Sequence, residues 1–260
     1  MIQTHQICKS WQDRTLFSKI SFTFEQGICY GILGPNGSGK TTLLRCLSGE
    51  LTPDEGMVTL IDKPILSFSP RQRARKIGVL SQESFYDLPF TVEEMVMMGR
   101  YPYQRRWPWD NEIDYQSVRA MMTELDVESL AQMPFSSLSG GEKQRVLITR
   151  LLVQEASILL LDEPMNHLDI QHQIRFLELI QEIRDQQNMT IIIVLHDLNI
   201  AAQFCDRLLF LADGKLLATG TAEELYTADL IKQVYQVDPI IVKHPTLKVP
   251  QVFMQLSQNR

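Results

Sequence analysis

No apolar run in the 260-residue chain approaches the ~20 residues that a membrane-spanning helix requires. The longest apolar strands are short, as in Ile191-Ile192-Ile193-Val194-Leu195, so any membrane role must come through a partner. Cysteine is sparse: Cys8, Cys29, Cys46 and Cys205 form no CxxC pair and no zinc spacing. They read as reduced, mostly buried thiols of a cytoplasmic protein. The opening residues, Met1-Ile2-Gln3-Thr4-His5, lack the basic-then-apolar order of a secretory signal. Positive charge is short as well. A net charge of −6 argues against a basic face for nucleic acid, so no nucleic-acid partner is expected. Internal repeats and low-complexity segments are also missing. What remains, 44% hydrophobic and 22% charged residues, is the composition of a globular chain. Its length suffices for one large α/β domain, or for one domain with a sizeable insertion.

The pattern along the chain changes character twice. Ile20, Phe22 and Phe24 alternate with Ser21, Thr23 and Glu25, which predicts antiparallel strands in the first thirty residues. Residues 28–33 form an apolar strand that runs into a glycine-rich loop, and residues 41–47 have helical composition. Strands are predicted again at 57–61 and 77–80. From Phe85 the chain turns helical: Thr91 reads as an N-cap before Glu93 and Glu94, opening a Met-rich helix that ends near Gly99. A second helix is expected over 110–125. Beyond Ser137 strand and helix alternate, with strands at 158–161 and 191–195 and an apolar stripe at Ile170, Ile174, Leu177, Ile180 and Ile183. Asp213-Gly214 between apolar segments predicts a hairpin. This alternation points to a mostly parallel sheet covered on both faces.

The glycine-rich loop is Gly34-Pro35-Asn36-Gly37-Ser38-Gly39-Lys40-Thr41, followed by Thr42. Its glycines let backbone N–H groups approach a polyphosphate, and the following helix adds its positive end. Lys40 can neutralise β- and γ-phosphate charge, while the Thr41 hydroxyl can ligate Mg²⁺. Strand, loop and helix in that order make the phosphate-loop reading specific. Asp162 and Glu163 follow the strand at 158–161, where side chains emerge at a sheet's carboxyl edge. His196 follows the strand at 191–195.

Between the phosphate loop and Asp162-Glu163 stands Leu138-Ser139-Gly140-Gly141-Glu142-Lys143-Gln144-Arg145. A phosphate loop, this segment and an Asp-Glu strand together resemble the ATP-binding cassette (ABC) ATPases, over nearly the whole chain. The resemblance implies an ATP hydrolase with a P-loop NTPase (RecA-like) α/β core, an N-terminal antiparallel β subdomain and an inserted α-helical subdomain. It assigns 1–84 and 138–240 to the core, 85–137 to the helical subdomain and 241–260 to a C-terminal tail. Asp162 then holds Mg²⁺ through water, Glu163 polarises the attacking water and His196 bonds the γ-phosphate. Gln82 matches the glutamine that reaches Mg²⁺ and that water. Trp11 stands where the family stacks an aromatic ring on adenine, a place where a half-buried packing tryptophan would serve equally. Ser139, Gly140, Gly141 and Glu142 bind the ATP of the opposite subunit, and Asp169 crosses the dimer interface. ATP and Mg²⁺ are the implied ligands, and a head-to-tail homodimer the implied assembly.

Two positions depart from the family's commonest pattern. Glu142 stands where Gln is usual, and Met165 where Thr is usual. The acidic variant, together with Leu88-Pro89-Phe90-Thr91-Val92, Met98-Gly99-Arg100-Tyr101-Pro102-Tyr103 and His196-Asp197-Leu198-Asn199, resembles importers for iron–siderophore, haem and cobalamin. That branch implies integral membrane permease subunits, an extracytoplasmic substrate-binding protein, and a peripheral position on the cytoplasmic membrane face. The aromatic stretch 101–109 reads as a helix connection packed on its own subdomain; the sharper reading is that it rims the groove that receives a permease's coupling helix. Asn166-His167-Leu168-Asp169 also resembles the ABC-F factors that act on ribosomes. Those carry two cassettes, and a single phosphate loop is present here.

Overall fold

In the computed structural model, which describes residues 1–12, 14–81, 89–104, 112–166 and 168–254, the first strands follow their alternation. Strand β1 (Ile2–Trp11) pairs antiparallel with β2 (Arg14–Phe24), where Ile20 and Phe24 are buried while Ser21 and Thr23 face solvent. Strand β3 (Cys29–Leu33) is buried along its whole length and delivers the chain into the glycine-rich loop and helix α1 (Lys40–Leu47). Strand β4 (Glu55–Leu60) returns antiparallel to β1, and β5 (Lys63–Pro64) closes that edge. The chain folds as two units, Met1–Ser67 with Thr190–Arg260, and Phe68–Met189.

The second unit opens with the short helix α2 (Pro70–Ala74) and strand β6 (Ile77–Leu80). Helix α3 (Val92–Met97) begins at Thr91 as expected. The Thr91 hydroxyl accepts from Glu94 N at 3.3 Å, and the Glu94 carboxylate accepts from Thr91 N at 2.8 Å. Such a reciprocal cap stabilises a helix by about 1 kcal/mol. Helices α4 (Glu112–Glu124) and α5 (Gly140–Leu152) follow, then strand β7 (Ile158–Asp162), parallel to β6 and wholly buried. Helix α6 (Ile170–Gln187) completes the unit.

Two details of this unit escape sequence reasoning. Gly99 lies just past α3 because α5 crosses so closely that a Cβ there would sit 2.1 Å from the Arg150 carbonyl oxygen. Gly99→Ala is therefore expected to destabilise the fold by about 1–3 kcal/mol, as overpacking does. Thermal unfolding should drop by roughly 2–4 °C per kcal/mol, and an unchanged midpoint would mean that α5 does not approach so near. The second detail concerns α6. The apolar stripe of α6 is not uniformly buried: Ile170 is 75% and Ile174 52% exposed, while Phe176, Leu179 and Ile180 carry the packing. A 3.6-residue period marks one face of a helix, but not how far the neighbouring surface extends along it.

Past Met189 the chain rejoins the first unit. Strand β8 (Thr190–Val194) runs parallel to β3, and helix α7 (Leu198–Phe204) leads to β9 (Arg207–Ala212), parallel to β3 on its other side. The predicted hairpin joins β9 to the antiparallel β10 (Lys215–Gly220), with Asp213 and Gly214 both at positive φ, as a two-residue turn demands. Helices α8 (Ala222–Leu225) and α9 (Ala228–Tyr235) follow. A short antiparallel pair, β11 (Pro239–Lys243) and β12 (Pro250–Met254), forms around the segment assigned to a C-terminal tail. Cys29, Cys46 and Cys205 are buried, in line with the thiol reading, and burial pushes the Cys46 thiol up to about 11. Among the described residues no helix is long and apolar enough to cross a membrane.

Candidate active site

The phosphate loop turns on three glycines. Gly34, Gly37 and Gly39 have φ of 149°, 75° and 95°, a region that side chains rarely adopt. At Gly34 a Cβ would also fall 1.9 Å from the Leu211 carbonyl oxygen, so the loop lies directly against β9. Lys40 opens α1 but folds back over the loop, its Nζ donating to Gly34 O at 2.8 Å and to Pro35 O at 3.0 Å. The Ser38 hydroxyl is buried, with no hydrogen-bond partner among the described residues. A buried cation, an unsatisfied hydroxyl and left-handed glycines at a helix N-terminus suit a polyphosphate. Pro35 is half-buried and Asn36 exposed; Thr41 is exposed and Thr42 half-buried in the first turn of α1. Arg14 reaches the same loop, its Nη2 donating to Gly37 O at 3.3 Å. Sequence reading missed Arg14, because no local pattern ties the start of β2 to Gly37.

His196 lies at the same sheet edge as this loop. The β3–β8 register pairs Ile32 with Val194, so His196 emerges just past the strand and faces solvent. Asp197 behind it caps α7, accepting from Asn199 N at 2.7 Å and Ile200 N at 3.0 Å. Trp11 is 63% exposed, which removes the half-buried packing role and leaves its indole face open to a ligand.

The remaining motifs lie in the second unit. Asp162 ends β7 almost fully buried. Glu163 follows with φ 51°, a conformation costing of order 1–3 kcal/mol in a non-glycine residue and concentrated at functional sites. Ser139 caps α5 in a reciprocal box: its hydroxyl accepts from Glu142 N at 3.4 Å and donates to Glu142 Oε2 at 2.7 Å. The Glu142 carboxylate also accepts from Ser139 N at 2.8 Å, and these bonds hold its pKa below the usual carboxylate range. The uncommon acid thus completes the cap of the helix. Asp169 caps α6, accepting from His172 N at 2.9 Å and pairing with His172 Nδ1 at 2.8 Å; these bonds lower its pKa. Met165 is buried, and its carbonyl oxygen accepts from Gln173 Nε2 at 3.3 Å. Packing therefore accounts for an apolar residue at that position. Gln82 lies outside the described residues, as do His167 and most of 101–109.

The profile of the ABC transporter family matches residues 17–166, a span that includes the phosphate loop, the Ser139 segment and Glu163. The chain belongs to that family. This ABC ATPase is similar to the hemin import ATP-binding protein HmuV of Thermobifida fusca (strain YX). The two are 39% identical over 253 residues, covering 97% of this chain and 88% of the relative. It is 37% identical over 251 residues to the ferric enterobactin transport ATP-binding protein FepC of Escherichia coli (strain K12), covering 96% and 93%. Among solved structures, a chain of an inward-facing metal-chelate type ABC transporter superposes with a TM-score of 0.83, covering 98% of both chains. At 24% identity that likeness shows the fold alone. The cassette is thus an α/β ATPase that binds nucleotide and hydrolyses ATP, with the mostly parallel and antiparallel sheets expected from its sequence.

Proposed function

We propose that this ABC ATPase powers the import of an iron chelate, haem or a ferric siderophore, with cobalamin as the third substrate of the same class. The observation that carries the reading is similarity over almost the full length to ATPases named for hemin and ferric enterobactin transport. The segment after Gly99 supports it. Arg71 and Arg75 both donate to Pro102 O, at 2.9 and 2.8 Å, and Arg100 lies 4.5 Å from the Tyr103 ring centroid. Braced in this way, the segment holds Tyr101 65% exposed, as a contact for a permease subunit requires.

In this reading Gly34 to Thr42 cradle the phosphates, Trp11 stacks on adenine, Glu163 orients the attacking water and His196 contacts the γ-phosphate. Thr41, Asp162 and Gln82 offer only hard oxygen donors, the set Mg²⁺ prefers, and together would hold it. Bound there, Mg²⁺ screens β- and γ-phosphate charge. Ser139 to Glu142 and Asp169 face the ATP of a second copy, so the working unit is a head-to-tail homodimer. It sits peripherally on permease subunits at the cytoplasmic membrane face, contacting them through the helical segment 85–137, with an extracytoplasmic binding protein delivering the substrate.

The test is purification of the chain with its permease, followed by ATPase assays with binding proteins loaded with haem, ferric siderophore or cobalamin. Stimulation by one loaded protein over its empty form is the expected result. Sedimentation with ribosomes and indifference to every permease would overturn the reading in favour of a translation factor.

A further inference from the structure

We infer that Asn166 and Gln144 are positioning residues that lock the Glu163 carboxylate, and that Gln144 ties it to the helix capped by Ser139. The inference rests on Glu163 being the base of the proposed reaction. Glu163-Pro164-Met165-Asn166 folds as a β-turn, closed by Asn166 N donating to Glu163 O at 3.2 Å. Proline at the second position suits that turn, and the turn returns residue four to residue one. The Asn166 side chain uses this proximity: its Nδ2 donates to Glu163 Oε2 at 2.7 Å. One carboxylate oxygen is thereby fixed, on a residue whose backbone is left-handed. A carboxylate that orients water must hold one place, since small displacements of a base reduce rate steeply.

The turn is pinned from outside by a second amide. Gln144 Nε2, in the first half of α5, donates to Pro164 O at 2.6 Å. Helix α5 therefore has Ser139 at its N-terminal end and a side-chain bond to the residue following Glu163 farther along. In the head-to-tail dimer of the proposed function, Ser139 meets the ATP of the second copy while Glu163 serves the ATP of its own. Gln144 then joins the two sites mechanically within one chain: a shift of α5 on closure is passed through Pro164 to the carboxylate. Gln173 steadies the far side of the turn, its Nε2 donating to Met165 O at 3.3 Å. A polar residue able to donate at 166 and an amide at 144 are what this arrangement requires.

The experiment compares Asn166→Ala, Gln144→Ala and the isosteric Asn166→Asp and Gln144→Glu in the full-length chain, with Glu163→Gln alongside. The isosteres keep side-chain volume and put an acceptor in place of the donor, so a packing defect cannot imitate their effect. Steady-state ATPase should show kcat lowered roughly 10–100-fold in all four, as loss of a hydrogen bond to a charged or strained group predicts. KM for ATP and nucleotide affinity should stay at the parent values. If Glu163→Gln is inactive but the four variants keep kcat within twofold of the parent, the positioning role is overturned and the base assignment stands. A matching loss of ATP affinity, or a rise in kcat, would equally overturn it. Normal turnover in Glu163→Gln would instead remove the base assignment on which the inference rests.

Discussion

Glu163→Gln is expected to bind ATP as well as the parent chain while steady-state hydrolysis falls by about 10²–10⁴-fold, the ordinary contribution of a general base. That range corresponds to about 3–5 kcal/mol of transition-state stabilisation. The physical ground is separation of tasks. In the proposed site, phosphate binding rests on Lys40, on the left-handed glycines and on the start of α1, all in the first unit. Glu163 belongs to the second unit. Gln matches Glu in size and still accepts from Asn166 Nδ2, so the turn is retained while the base is lost. Without hydrolysis to separate them, two copies should stay closed around nucleotide. Gel filtration with ATP should therefore show a dimer that the parent chain forms only transiently. Near-normal turnover in this variant would show that the base lies elsewhere.

Mixing Lys40→Ala chains with Ser139→Arg chains should recover ATP occlusion that neither variant shows alone. In a head-to-tail heterodimer both defects fall on the same nucleotide, leaving the other site with an intact Lys40 and an intact Ser139. Arginine at 139 destroys the cap formed with Glu142 and, in the proposed shared site, puts a long side chain against the phosphate end of ATP. Alanine at 40 removes the charge that this loop holds over Gly34 and Pro35. Retention of labelled ATP through rapid desalting, in a Glu163→Gln background, measures occlusion directly and does not depend on whether one site suffices for turnover. No recovery above either parent would exclude the shared-site arrangement.

Much of this molecule is legible in its sequence, and the legible parts share a cause. The phosphate loop, the Thr91 cap and the Asp213-Gly214 hairpin are written in residues whose own backbone preferences demand those shapes. Strands β3, β7 and β8 show as short apolar runs because a parallel sheet covered on both faces confines polar residues such as Asp162 and Thr190 to strand ends. The Ser139 segment and Asp162-Glu163 are legible through their order along the chain, which resemblance to a family can interpret.

The rest depends on distance in space. Ile170 and Ile174 carry the right period yet stay exposed, since the extent of a packing partner is not encoded in the helix that meets it. Trp11 could equally have been packing or platform, and only the open surface around it decided that it is exposed. Arg14 at Gly37, Gly99 beneath Arg150 and Gln144 on Pro164 join residues far apart in sequence. By itself, then, the sequence determined the local turns, caps, buried strands and order of motifs, because each follows from short-range backbone preference and hydrophobic pattern. Which faces are buried, where a glycine must yield to a crossing helix, and which amides hold the turn after Glu163 come from the fold, because long-range packing sets them.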